Sequence, residues 1–104
     1  MKGRLKEIEK RIEKIKKELM TVSEMRPGSL TQQSRGGKIA VYYQLSYTHK
    51  MKGKTEYIRS EFVEDVAKEI AEYKRFRELI DEWISLAIER SKIKMDLAKQ
   101  NDEV

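Results

Sequence analysis

The sequence predicts a mainly α protein with one β-hairpin, an α+β chain in the order long helix, connector, hairpin, very long helix, with coiled-coil-like helix packing. Three observations predict it. Apolar residues recur at alternating steps of three and four from Leu5 to Val22. Residues 39–47 place β-branched and aromatic side chains at every second position. No Pro or Gly interrupts residues 60–99. A length of 104 residues is read as a single domain, and 39% charged residues against 38% hydrophobic leave little apolar surface for a deep cofactor pocket.

The first helix is expected over residues 2–25. Leu5, Ile8, Ile12, Ile15, Leu19 and Val22 form an a/d seam with Lys, Arg and Glu between them. Two apolar residues per heptad suit one or two facing helices better than a broad core, and Glu13 supports the solvent side four residues before Lys17. The helix is expected to stop near Met25, because the residue before Pro27 is pushed out of the α region and Gly28 follows. Residues 26–38 then read as a polar connector rich in Gly, Ser, Thr and Gln.

The hairpin is expected over residues 39–59. Ile39, Val41, Tyr43, Leu45 and Tyr47 share one face, while Ala40, Tyr42, Gln44 and Ser46 face the other way. Thr48–Lys54 reads as a long tip containing Gly53, and Thr55–Arg59 as the return strand. An isolated hairpin is marginal in water, so its apolar face must lie on a helix or pair with another copy. Ser60 is placed as N-cap of the second helix, expected over 60–99, with Glu61, Glu64 and Asp65 in its first turns. At about 1.5 Å per residue that helix spans roughly 55 Å, so it is expected to bend near Ser85 or Ser91 or to be covered partly by another chain. Residues 100–104 read as a frayed tail.

Charge is unevenly distributed. Residues 1–23 carry 8 basic and 4 acidic side chains, residues 24–60 carry 7 and 2, and residues 61–104 carry 8 and 12, for a formal net charge of +5. The two helical segments are therefore complementary, which favours packing them together within a chain or between chains, while the hairpin segment keeps a positive excess. Abundant Lys, Glu and Ile with a single Asn is a composition that thermophilic proteins favour.

Much chemistry is excluded. The chain has no Cys, hence no disulfide, thiolate metal site or Cys nucleophile. Gly36-Gly37-Lys38 is too short for a phosphate-binding loop, no Gly-x-Ser-x-Gly elbow occurs, and His49 is the only histidine. Glu72-Tyr73-Lys74 matches a fragment of metal-dependent nucleases but falls mid-helix without an acidic strand before it, so it reads as a solvated helix face. The expectation is no enzyme, no cofactor and no metal. No run reaches the roughly 18 apolar residues of a membrane span, so a cytoplasmic protein without a membrane partner is expected.

Met25-Arg26-Pro27-Gly28-Ser29-Leu30, Tyr42-Tyr43-Gln44-Leu45-Ser46-Tyr47, Gly53-Lys54, Tyr57-Ile58 and Tyr73-Lys74-Arg75-Phe76-Arg77-Glu78-Leu79 occur in this order over about residues 20–85. The set resembles an uncharacterised family of small prokaryotic proteins often met in mobile elements. Members commonly carry a Cys-containing insert before the Tyr-Tyr strand. This chain has Ser34-Arg35-Gly36-Gly37-Lys38 there, which removes any metal from what the resemblance implies. It implies a setting, an integrated plasmid, virus or transposon, in which small basic proteins handle nucleic acid or assemble.

The functional expectation is a small basic accessory protein that binds nucleic acid without strong sequence preference through the hairpin. Arg35, Lys38, Lys50, Lys52, Lys54 and Arg59 would neutralise phosphates, with Tyr42 and Tyr47 as stacking surfaces. The alternative is a structural or protein-interaction module. In either case a homodimer or higher homo-oligomer is expected through Leu5, Ile8, Ile12, Ile15, Leu19, Ile80, Trp83 and Ile84, because the two helical stripes carry more apolar surface than one small core hides.

Overall fold

A computed structural model describes residues 2–34 and 41–102. The element order is α1 (Lys2–Leu19), β1 (Ser29–Ser34), β2 (Val41–His49), β3 (Lys52–Ile58), a 3-10 turn over Ser60–Phe62, and α2 (Val63–Asp102). Two long helices and a small antiparallel sheet make this the mainly helical α+β fold that the sequence predicts. The chain divides into two compact units, one formed by α1 with α2 from Phe76 onward, the other by Ser23–Arg75.

In the helical unit the ion pairs fix the direction of the two helices. Arg4 pairs with Glu89 and Arg11 with Glu82, so a step of seven residues forward in α1 is a step of seven backward in α2. A second row repeats the rule: Glu9 pairs with Arg90, and the Lys16 ammonium lies 5.6 Å from the centre of the Trp83 ring. The helices are thus antiparallel, with two heptad-spaced rows flanking an apolar seam. Ile8, Ile12 and Ile93 form its buried centre, with Leu5, Trp83, Leu86 and Leu97 packed around them, and Ile15 and Leu79 are buried as well. The seam of α2 runs Leu79, Trp83, Leu86, Arg90, Ile93, Leu97, the same alternating spacing as in α1, with Arg90 at one seam position turned to Glu9.

Several boundaries differ from expectation. α1 ends at Leu19, not Met25, because the chain tightens into i→i+3 bonds from Thr21 to Glu18 and from Val22 to Leu19. The Thr21 hydroxyl also donates to the Glu18 carbonyl at 2.7 Å, the local competition by which Thr ends helices. α2 is continuous through Ser85 and Ser91 and includes Gln100–Asp102, part of the expected frayed tail. Ser60 does not cap it through its side chain. Its carbonyl accepts the Val63 N–H at the end of the 3-10 turn.

The Ser23–Arg75 unit holds a three-stranded antiparallel sheet, order β1-β2-β3, in place of the expected two-stranded hairpin. β1 lies inside the expected connector. It pairs with β2 so that Leu30 faces Leu45 and Ser29 faces Ser46. β2 and β3 pair with Tyr43 opposite Ile58, Leu45 opposite Glu56 and Tyr47 opposite Lys54. Leu45, Ile58, Val66 and Ile70 form the core between the sheet and the start of α2, with Leu30, Tyr43, Tyr47 and Val63 packed on it. Gly28 enters the sheet at φ 146°, with a Cβ position only 2.5 Å from Leu45 Cδ1, so no larger residue fits there unchanged.

Candidate nucleic-acid interface

The expected long tip is a tight turn. β2 runs to His49 and β3 starts at Lys52, leaving only Lys50 and Met51 between them, with φ of 52° and 66°. Two consecutive positive φ values are what a two-residue type I′ hairpin turn requires, a role usually given to Asn-Gly. Here Lys50 and Met51 occupy it, and Met51 is 97% exposed. The strands adopt tight pairing because the cross-strand register, fixed by Leu45 and Ile58 in the core, leaves no extra residue for a longer loop.

Around this turn the structure gathers three lysines of the expected site, with Lys52 and Lys54 on the sheet face of Leu45 and Tyr47, opposite that of Tyr42. Lys50, Lys52 and Lys54 are exposed, as is His49, which pairs with Lys52 across the ladder. Among the described residues none of the three lysines forms an ion pair. Lys54 acts on Glu56 only through space, helping to hold that carboxyl below its usual range. Every described arginine, by contrast, lies within ion-pair distance of a carboxylate: Arg4, Arg11, Arg26, Arg59, Arg75, Arg77 and Arg90. Arg59 sits at the far end of β3, highly exposed, and meets Glu61 only at 3.7 Å. Arg35 and Lys38 lie outside the described residues.

The two tyrosines assigned to stacking separate. Strand alternation puts them on opposite faces. Tyr47 is half-buried on the helix-covered face, where its hydroxyl donates to Glu56 Oε1 at 3.0 Å. The Arg26 guanidinium lies 5.0 Å from the Tyr47 ring centre and pairs with Glu56 at 2.7 Å. These bonds, from Arg26 first and Tyr47 second, depress the Glu56 carboxyl and raise Arg26. Tyr47 is therefore a structural residue and is withdrawn from the stacking set. Tyr42 faces outward and meets Tyr57, ring centres 5.8 Å apart and tilted by 33°. Tyr57, 65% exposed, is interleaved with the basic residues in the sequence but is not one of the two tyrosines expected to stack. Its parity with Tyr42 becomes visible only once Gln44 is known to face it.

The same polar network accounts for the motif that carries the family resemblance. The Arg26 N–H donates to the Glu69 carbonyl at 3.0 Å, the Ser23 N–H to Glu72 at 2.9 Å, Gly28 lies against Leu45 and Leu30 joins the core. Arg75 and the Ser23 N–H hold the Glu72 carboxyl below its usual range, so the Glu72-Tyr73-Lys74 fragment is part of a brace. Among the described residues no cluster of His, Cys, Asp and Glu suited to a metal ion occurs, and no helix is long and apolar enough to cross a membrane.

The residues assigned to self-association also divide. Ile8, Ile12 and Ile15 are buried inside the helical unit, with Leu5 and Leu19 half-buried beside them and Trp83 half-buried under Lys16. That seam is filled within one chain. Ile80 is half-buried, and Ile84 is 52% exposed, in a row with Ile88 at 52% and Met95 at 61% on the side of α2 opposite its seam. Comparison with protein-family models, curated proteins and solved structures finds no match to this chain.

Proposed function

We propose that the protein is a small basic accessory protein, of the mobile-element setting that the resemblance implies, which binds nucleic acid without strong sequence preference through the β2–β3 hairpin. The observation that carries this reading is the placing of three exposed lysines, which form no ion pair among the described residues, around a tight turn. Lysines without an internal partner keep their charge available for phosphates, whose neutralisation releases counterions. The test is fluorescence anisotropy with labelled DNA and RNA from about 50 to 300 mM salt, the range in which that release is resolved. Replacing Lys50, Lys52 and Lys54 by Ala is expected to lower the logarithmic salt slope on duplex DNA by up to about three units, at roughly 0.9 per phosphate contact. No binding at the lowest salt, or a slope that the triple change leaves alone, refutes the reading.

A second reading is favoured by the Ile84, Ile88 and Met95 row, an apolar face that the chain itself leaves open. A second copy suits it in antiparallel, two-fold fashion. Asp81 precedes Ile84 and Lys92 follows Ile88, so a two-fold axis near Ala87 sets acid opposite base. Light scattering after size exclusion tests this. A dimer that Ile88→Glu dissociates supports the reading, and a 12.3 kDa monomer at high micromolar concentration refutes it.

A further inference from the structure

The sheet has one covered face and one open one. Tyr43, Leu45, Tyr47 and Ile58 turn to the core, so register assigns the alternate positions to the other side: half-buried Tyr42 and Gln44 with exposed Ser46 and Thr48 from β2, and exposed Thr55 and Tyr57 from β3. None of these six is charged, in a chain of which 39% is charged. Exposed strands ordinarily carry Lys or Glu as protection against edge pairing and association. An open sheet face made of two rings, hydroxyls and an amide is therefore a surface with its own chemistry. The rings stand in contact at 5.8 Å, and Tyr57 is largely exposed.

We infer that this outward sheet face is a base-stacking platform for single-stranded nucleic acid, centred on Tyr42 and Tyr57. The inference rests on the hairpin reading above and deepens it by naming the strand state of the ligand. Cations stand at both ends of the platform and not on it. Arg59 continues β3 in extended backbone, φ −66° and ψ 144°, next to the tyrosine end. Lys50 marks the other end, about 26 Å from Tyr42 at roughly 3.3 Å per strand residue. A single strand lying along β2 and β3 sets its phosphates on these cations and its bases on the uncharged face. There, stacking on rings is tolerant of sequence, and Gln44, Ser46 and Thr55 offer hydrogen bonds to base edges. A duplex keeps its bases stacked on each other and offers no ring faces to such a surface, so it engages the lysine turn alone.

The experiment compares a labelled oligo-dT and oligo-rU with a duplex of equal length by anisotropy at about 50 mM salt, using wild type, Tyr42→Thr/Tyr57→Thr and Tyr42→Phe/Tyr57→Phe. Thr keeps strand propensity while removing the ring, and Phe keeps the ring. Single-strand affinity is expected to fall about tenfold or more in the Thr pair and to survive in the Phe pair, with duplex affinity changed less than about twofold. An equal fall for single strand and duplex, or no fall for single strand, overturns the platform. If in that second case the triple lysine variant still weakens binding, the platform alone is wrong and the hairpin reading stands. If wild type binds neither ligand, both fall.

Discussion

Replacing Gly28 by Ala tests how the sheet is held. The added Cβ would sit 2.5 Å from Leu45 Cδ1, 3.2 Å from Leu45 Cγ and 3.2 Å from the Ser46 carbonyl oxygen. Leu45 has no room to yield, being fully buried, paired between Leu30 and Glu56, and packed in the core with Ile58, Val66 and Ile70. Forcing a methyl group into such a site costs about 1–3 kcal/mol, and holding an L-residue at φ 146° about 1–3 kcal/mol more. Reduced freedom of the unfolded chain returns about 0.4–1 kcal/mol. The expected net loss is about 2–4 kcal/mol, a large fraction of the roughly 5–15 kcal/mol of a typical domain and a fall in Tm of about 10 °C or more. The assay is urea and thermal unfolding by circular dichroism, with Trp83 fluorescence reporting the helical unit separately. Gly53→Ala is the control, since nothing lies within 4 Å of its Cβ position. Leu45→Ala combined with Gly28→Ala is expected to cost less than the sum of the two, because the smaller side chain removes the clash. A Gly28→Ala protein that unfolds within about 0.5 kcal/mol of wild type would refute the close-approach argument.

Other outcomes follow from the same geometry. Ile12→Asp places a charge in the α1–α2 seam and is expected to cost more than about 4 kcal/mol, read by Trp83 fluorescence, whereas Ile84→Asp on the exposed row changes unfolding of the monomer by less than about 0.5 kcal/mol. Met51→Gly relieves a positive φ at the turn and is expected to stabilise by about 1 kcal/mol, raising the urea midpoint at constant slope. Glu56, Glu82 and Glu89 are held below the ordinary carboxylate range by Arg26, Arg11 and Arg4 in turn. Between the folded and unfolded values the unfolded chain therefore binds more protons, so their stabilisation is complete above about pH 5 and is lost as pH falls below about 4.5. Melting from pH 3 to 7 is expected to show that slope, and Glu56→Gln with Glu82→Gln is expected to flatten it.

The helices were legible because a seam needs repetition, and Leu5 to Val22 repeats without interruption. β2 was legible because a strand covered on one face alternates. β1 was not, since it lies at the sheet edge and Leu30, which joins the core, is the one apolar residue in its sequence, so no alternation marks it. The turn misled for a related reason. Gly53 marks a loop in most sequences, yet here it lies inside β3, while the residues with positive φ are Lys and Met. Of the site, the lysines were legible from charge alone. The tyrosines needed the register, because Tyr42 and Tyr47 are five residues apart and fall on opposite faces, while Tyr57 joins Tyr42 only through strand pairing.

The distribution of cations separates framework from surface more sharply than the motifs do. Arginine presents a planar fork suited to two parallel bonds, and Arg4 to Glu89 and Arg11 to Glu82 use it in that way, with both partners of each pair drawn from different helices. Arg26 does the same work for the sheet through Glu56 and the Tyr47 ring. Arg26, Gly28 and Leu30 are thus accounted for by folding. Lysine is a compact, strongly hydrated charge on a flexible stem, poorly suited to fixing a framework and well suited to following a mobile polyanion. Lys50, Lys52 and Lys54 around a two-residue turn, together with a sheet face whose described residues carry no charge, are the feature that folding alone leaves unexplained. Nucleic-acid binding would therefore draw on Lys50, Lys52 and Lys54 and on the ring pair of Tyr42 and Tyr57.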